Sequence, residues 1–206
     1  MSIKLYVEGG GDSRGLRAEC RRGFAEFIRK GGLASRMPRV VACGGRQQAY
    51  DDFRVAAEQA GNQEAPMLLI DAEQPVQAGN PWEHLRLQAG WSRPAGATDQ
   101  QCHLMVQVME SWFLCDVETL ADFYGTGFLQ NALPGNSNVE VVPKSDVLSG
   151  LTRATGQTRK GPYSKGKHSF SLLAKIDPAK VERGAPYAKR FLEALRAHAG
   201  GAGGSV

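Results

Sequence analysis

Hydrophobic and polar positions along this chain follow two registers: short unbroken apolar runs, and longer stretches whose apolar residues recur at helical spacing. The runs Ile3-Lys4-Leu5-Tyr6-Val7, Arg39-Val40-Val41-Ala42-Cys43, Met67-Leu68-Leu69-Ile70 and His103 to Val108 read as strands of the buried type. A helix is predicted from about Ser13 to Lys30, stopped by Gly31-Gly32. A second is predicted from Gln47 to Ala60, with Phe53, Ala56, Ala57 and Ala60 on one face. Gln74 to Gln101 carries Pro75, Gly79, Pro81, Gly90, Pro94 and Gly96 and is predicted to be irregular.

The second half is less periodic. Val117 to Tyr124 and Lys144 to Thr155 read as helices, with a loop from Leu129 to Asn138. Thr158 to Lys167 is basic and rich in Gly, Pro and Ser, which predicts a mobile loop. Phe170 to Ile176 and Pro186 to Ala199 read as closing helices, the latter with an apolar stripe of Phe191, Leu192 and Leu195. Gly200 to Val206 has nothing to bury and is expected to be disordered. Apolar strands separated by helices predict an α/β fold, with a largely parallel sheet flanked by helices and a helical C-terminal extension. Right-handed crossovers place every strand's C-terminal end on one edge.

That edge is where the acidic residues fall. Glu8 follows the first strand and leads into Gly9-Gly10-Gly11-Asp12; Asp71-Ala72-Glu73 follows the third, and Glu110 the fourth. In open parallel sheets ligands collect at this rim. Carboxylates from several strands suit a hard divalent cation, Mg²⁺ or Mn²⁺, which takes oxygen ligands and keeps waters. Blander roles compete: Asp12 could cap the first helix, and Glu8 could be a solvated turn residue. Trp112 and Phe113 read as core rather than as stacking platforms.

Composition narrows the picture. The chain has 206 residues, 42% of them hydrophobic and 22% charged, which suits one soluble domain with an ordinary core. No run approaches the ~18 apolar residues of a membrane span, and Lys4 and Glu8 interrupt the first strand in a way a signal peptide does not tolerate. A cytoplasmic protein without membrane partners is expected. The net charge of +4 is modest but clustered: Arg14, Arg17, Arg21, Arg22, Arg29 and Lys30 load the first helix, and Arg153, Arg159, Lys160, Lys165, Lys167 and His168 a later segment. These are either solvated faces or a surface for nucleic acid. Lys165 and Lys167 are candidate phosphate binders, and His168 a candidate general acid or a helix cap. Cys20, Cys43, Cys102 and Cys115 show no paired spacing and are expected to be packed thiols.

Val7-Glu8-Gly9 followed by Asp71-Ala72-Glu73 resembles the TOPRIM superfamily, with its glutamate after the first strand and Asp-x-Asp motif after a later one. Glu73 departs from that pattern, keeping the charge on a longer arm; Asp12 fits a supplementary acidic position of nuclease-type members. The wording Val-Glu-Gly-Gly-Gly-Asp, Leu-Leu-Ile-Asp, Met-Glu-Ser-Trp-Phe-Leu and Pro-Tyr-Ser-Lys-Gly-Lys-His is similar to a narrower bacterial family of unassigned function, often encoded beside an ATPase in phage-defence cassettes. The resemblance implies a TOPRIM/Rossmann-like core over residues 1–125, an extension over 126–199 packed on it, and a tail over 200–206.

It also implies metal-dependent phosphodiester hydrolysis of DNA or RNA and an ATPase partner. With the residue reading above, Glu8, Asp71, Glu73 and His168 would be catalytic, Glu8, Asp12, Asp71, Glu73 and Glu110 would hold metal, and Lys165 and Lys167 would meet phosphate. The alternative is a catalytically inactive TOPRIM-like module that binds a cognate ATPase. A dinucleotide-binding reading of Gly9, Gly11 and Gly15 fares worse, because Glu8 and Asp12 would crowd negative charge onto the pyrophosphate.

Overall fold

The computed structural model describes residues 2–200 except 60, 62, 63 and 78. Four parallel strands, β1 (Ser2–Val7), β2 (Arg39–Ala42), β3 (Glu64–Asp71) and β4 (Cys102–Met105), form one sheet in the order β2-β1-β3-β4. Helices cover both faces, an arrangement consistent with a Rossmann- or TOPRIM-like α/β fold. The period of two along each strand divides the core. Leu5, Val7, Met67 and Leu69 face one layer, and Tyr6, Leu68 and Ile70 face the other.

The larger layer holds α1 (Arg14–Ile28) and most of the second half of the chain: α4 (Val117–Tyr124), α5 (Lys144–Thr155), α6 (Lys165–Leu173), α7 (Pro178–Gly184) and α8 (Pro186–Gly200). Trp112 is fully buried there, stacked on Phe27 with ring centroids 5.1 Å apart, and Phe113 is fully buried beside it. Removing such a ring costs about 3–5 kcal/mol. The smaller layer holds α2 (Arg46–Glu58) and α3 (Pro81–Ala89). The residues that follow α4 share one continuous core with α1 and the sheet, so the extension is built into the core.

Several predicted elements are corrected. Gln74 to Gln101 is not wholly irregular, because α3 lies within it. Asn80 caps that helix by accepting the Glu83 N–H, Pro81 opens it, and Gly90 closes it in a left-handed conformation. Both breakers sit at positions that helices favour for them. The same logic, Asp177 then Pro178, starts the unpredicted α7. The fourth strand stops at Met105 instead of Val108, and a 3₁₀ segment (Met109–Cys115) follows. There the Met109 N–H is taken by the Asp71 carboxylate at 2.8 Å rather than by a strand neighbour. The predicted loop from Thr158 to Lys167 ends early: Ser164 precedes α6, so Lys165 and Lys167 lie on its first turn. The predicted helix end at Ala60 and the tail beyond Gly200 lie outside the described residues.

Two sets of glycines position the site. Gly9, Gly10 and Gly11 all have positive φ (137°, 90° and 48°), backbone that side chains rarely adopt, so the chain can turn sharply after β1. Gly9 and Gly44 exchange backbone hydrogen bonds of 2.8 and 2.9 Å, tying that turn to the end of β2. On α1, a Cβ at Gly23 would stand 2.8 Å from the Phe170 carbonyl oxygen, so only glycine lets α6 lie this close. That close approach brings the start of α6 over the acidic rim.

Candidate metal centre

Glu8 leaves β1 and reaches sideways, its Oε2 accepting the Asp71 N–H at 3.0 Å. Asp71 closes β3 and is buried, with 6% of the residue exposed. Two residues on, Glu73 has φ 68°, and its N–H donates to the Gln107 carbonyl at 2.8 Å. A left-handed glutamate is strained backbone, and such strain collects at functional sites. The outcome is that one oxygen from each of Glu8, Asp71 and Glu73 lies within 4.8 Å of the other two. Together with Gly9, Gly10, Gly11, Met109, Glu110, Lys165, Gly166 and Ser169, Glu8 and Asp71 line a cavity of about 200 Å³.

This arrangement is electrostatically unfavourable by itself. Burial holds the Asp71 carboxyl well above the usual carboxylate range, and the negative charges of Glu8 and Glu110 push it further, against the pull of Lys165. Burial also raises Glu8, opposed by the hydrogen bond from Asp71 and by Arg46, and reinforced by Glu73. Like charges at this spacing and burial disfavour one another's ionisation. An all-oxygen donor set of three carboxylates is the chemistry that binds Mg²⁺ or Mn²⁺, and a dication would relieve the same repulsion. The residues fit such an ion.

The structure sorts the other candidate residues. Glu110, 1% exposed, lines the cavity but stands outside the mutual reach of the three carboxylates. Its Oε1 accepts the Tyr163 hydroxyl at 2.7 Å. Lys165 also lines the cavity, its Nζ 3.4 Å from Glu110 and 3.9 Å from Asp71. Asp12 is exposed in the turn, and the cap of α1 is Ser13, whose Oγ accepts the Leu16 N–H at 3.1 Å. Asp12 is therefore placed neither as cap nor in the three-carboxylate group. Lys167 is exposed and turned toward the Lys160 carbonyl at 3.4 Å. His168 is buried among Phe123, Tyr124 and Tyr163 and is not part of the cavity lining. Its Nδ1 accepts the Ser164 N–H at 3.2 Å, so its contact is with the start of its own helix. Burial lowers its pKa, and Lys167 and Lys160 add to that.

Three residues of the site had no signal in the sequence pattern. Arg46, at the start of α2, donates from Nε to the Asp71 carbonyl at 3.1 Å and stacks on Trp91, 4.6 Å from its ring centroid. Lys144, at the start of α5, ion-pairs with Glu73. Tyr163 holds Glu110. The one available hint is that Lys144 opens a predicted helix and Arg46 directly precedes another, but nothing local says which strand end a helix start will meet.

Residues 7–196 match the family described as Domain of unknown function (DUF4276), and the chain belongs to that family. No curated protein and no solved structure matches it. Among the described residues no helix is long and apolar enough to cross a membrane.

Proposed function

We propose that this DUF4276 protein is a TOPRIM-like nuclease that hydrolyses phosphodiester bonds in DNA or RNA with Mg²⁺ or Mn²⁺. The observation that carries the reading is the convergence of the Glu8, Asp71 and Glu73 oxygens within 4.8 Å at the strand ends. Those three residues would hold the ion. When bound, it would polarise a phosphoryl oxygen and make a coordinated water more acidic. Asp71 is fixed by the Met109 N–H on one oxygen, and Glu8 by the Asp71 N–H, so both present their carboxylates in one orientation without reorganising. Lys165 offers the one cationic side chain among the residues lining the cavity, placed to meet a phosphate. The exposed arginines of α1 and the basic residues 159–167 supply positive charge for a polyanion. An ATPase partner and a role in phage defence follow from the sequence resemblance and belong to the same proposal.

A second reading, an inactive interaction module, is favoured by the pairing of Lys144 with Glu73, which gives one of the three carboxylates a protein counter-ion. Metal-titrated cleavage of plasmid, single-stranded DNA and RNA by the purified full chain decides between them. Cleavage that requires Mg²⁺ or Mn²⁺ and falls at least about 100-fold in Asp71→Ala, with folding intact, is expected. Cleavage that survives the substitution unchanged would remove Asp71 from the chemistry, and no cleavage of any substrate under any metal would favour the inactive module.

A further inference from the structure

The cavity contains a second charge arrangement that phosphate binding does not account for. Glu110 is almost wholly buried, its Oε1 is held by the Tyr163 hydroxyl, and its Oε2 makes no hydrogen bond among the described residues. That oxygen is ion-paired with Lys165 Nζ at 3.4 Å, and the same ammonium stands 3.9 Å from Asp71. Lys165 is the first residue of α6, its side chain is 51% exposed, and Gly166 beside it has open space around it. The lysine is thus a tethered cation with room to move, poised between a fixed buried carboxylate and a residue of the candidate metal centre.

We propose that Lys165 is the internal counter-ion of the metal-free site, held by the Glu110–Tyr163 pair, and that it competes with the divalent ion for Asp71. The inference rests on the metal reading above and deepens it. Without a dication, the ammonium offsets the charge of Asp71 and Glu110. With one bound, the ammonium is repelled from Asp71, stays on the Glu110 side, and turns toward the open cavity. Two charges of the same sign a few ångströms apart in a partly buried site repel strongly, so both cannot sit on Asp71 at full strength. Tyr163 and Glu110 act here as positioning residues, because they work through Lys165.

The test uses the full chain stripped of metal by chelation, with Mn²⁺ alone as the probe. Lys165→Met should bind Mn²⁺ about tenfold more tightly than the unaltered protein by calorimetric titration, because the competing charge is gone. Its metal-free form should melt a few degrees lower, and its gain in melting temperature on adding Mn²⁺ should be larger. Lys165→Arg should bring both readouts back toward the unaltered protein, and Lys165→Gln serves where the methionine variant folds poorly. Mn²⁺ affinity that is unchanged or weaker in the Met and Gln variants, while the unaltered protein binds Mn²⁺, overturns this inference and leaves the metal centre standing. Absence of Mn²⁺ binding in every form overturns the metal centre and this inference together.

Discussion

Two aspartates with nearly equal burial, Asp71 and Asp116, have opposite fates. Asp116, 1% exposed, caps α4 by accepting from Thr119. It also accepts the Asp177 N–H at 2.9 Å and the Lys180 ammonium at 2.7 Å. Burial raises its carboxyl, but the Lys180, Asp177 and Thr119 hydrogen bonds outweigh that and hold it below the usual range. Asp71 accepts one backbone N–H, has its lysine 3.9 Å off, and is buried beside the negative charges of Glu8 and Glu110, so it is pushed the other way. A buried carboxylate whose every need is met is an anchor. One left uncompensated by its neighbours is a candidate ligand site.

The comparison breaks most sharply under substitution. Asp116→Ala should destabilise the fold by about 2–4 kcal/mol, since it removes the cap of α4 together with charged hydrogen bonds to the start of α7 and to Lys180 on it; denaturant melts measure it. Activity per folded molecule should be unchanged. Asp71→Asn should do the reverse. The metal-free protein should be as stable as the parent or more so, because a repelling charge is gone, while Mn²⁺ affinity falls about tenfold or more. A metal-free Asp71→Asn protein several degrees less stable than its parent would mean that Asp71 is an anchor too.

A pH series extends the contrast to Glu140. Its carboxylate is pushed up to about 7 by burial, against hydrogen bonds from the Tyr187 and Ala188 N–H groups at the start of α8. A group with a raised folded-state pKa holds its proton more tightly folded than unfolded. Its contribution is therefore full below the ordinary carboxylate range and is lost as pH climbs toward 7. Asp116 has a lowered folded-state pKa, so its contribution is present at neutral pH and lost as pH falls below the ordinary aspartate value. Glu140→Gln should thus raise the melting temperature by a few degrees at pH 8, with the difference closing by about pH 4. An equal difference at both pH values would remove ionisation as its cause. The smallest effect belongs to the exposed pair Arg29–Glu26, one turn apart on the surface at 2.8 Å. Glu26→Gln should leave the melting temperature unmoved, because solvent screens such pairs.

Legibility from the sequence follows the range of the interactions. The predicted helix over Lys144–Thr155 coincides with α5, and Val117 to Tyr124 with α4, because apolar spacing and end signals are local. The short apolar runs Ile3 to Val7 and Met67 to Ile70 place two central strands for the same reason. Pro81 and Gly90 misled, since each is read as a breaker until its place at a helix end is known. From their shared basic segment alone, Lys165 and Lys167 read alike as phosphate binders. The helix that begins at Ser164 gives them different surroundings: Lys165 joins the cavity, and Lys167 turns outward to Lys160.

Residue order alone places Glu8, Asp71 and Glu73 at strand ends, because the apolar runs stop there and a parallel sheet sends those ends to one rim. Long-range packing is what draws Glu110, in the 3₁₀ segment beyond β4, to Tyr163, leaves Asp12 facing solvent, and brings Lys144 and Lys165 in from distant helices. Such pairings depend on how closely helices approach one another. That approach is set at contacts such as Gly23 against Phe170, between residues far apart in the chain.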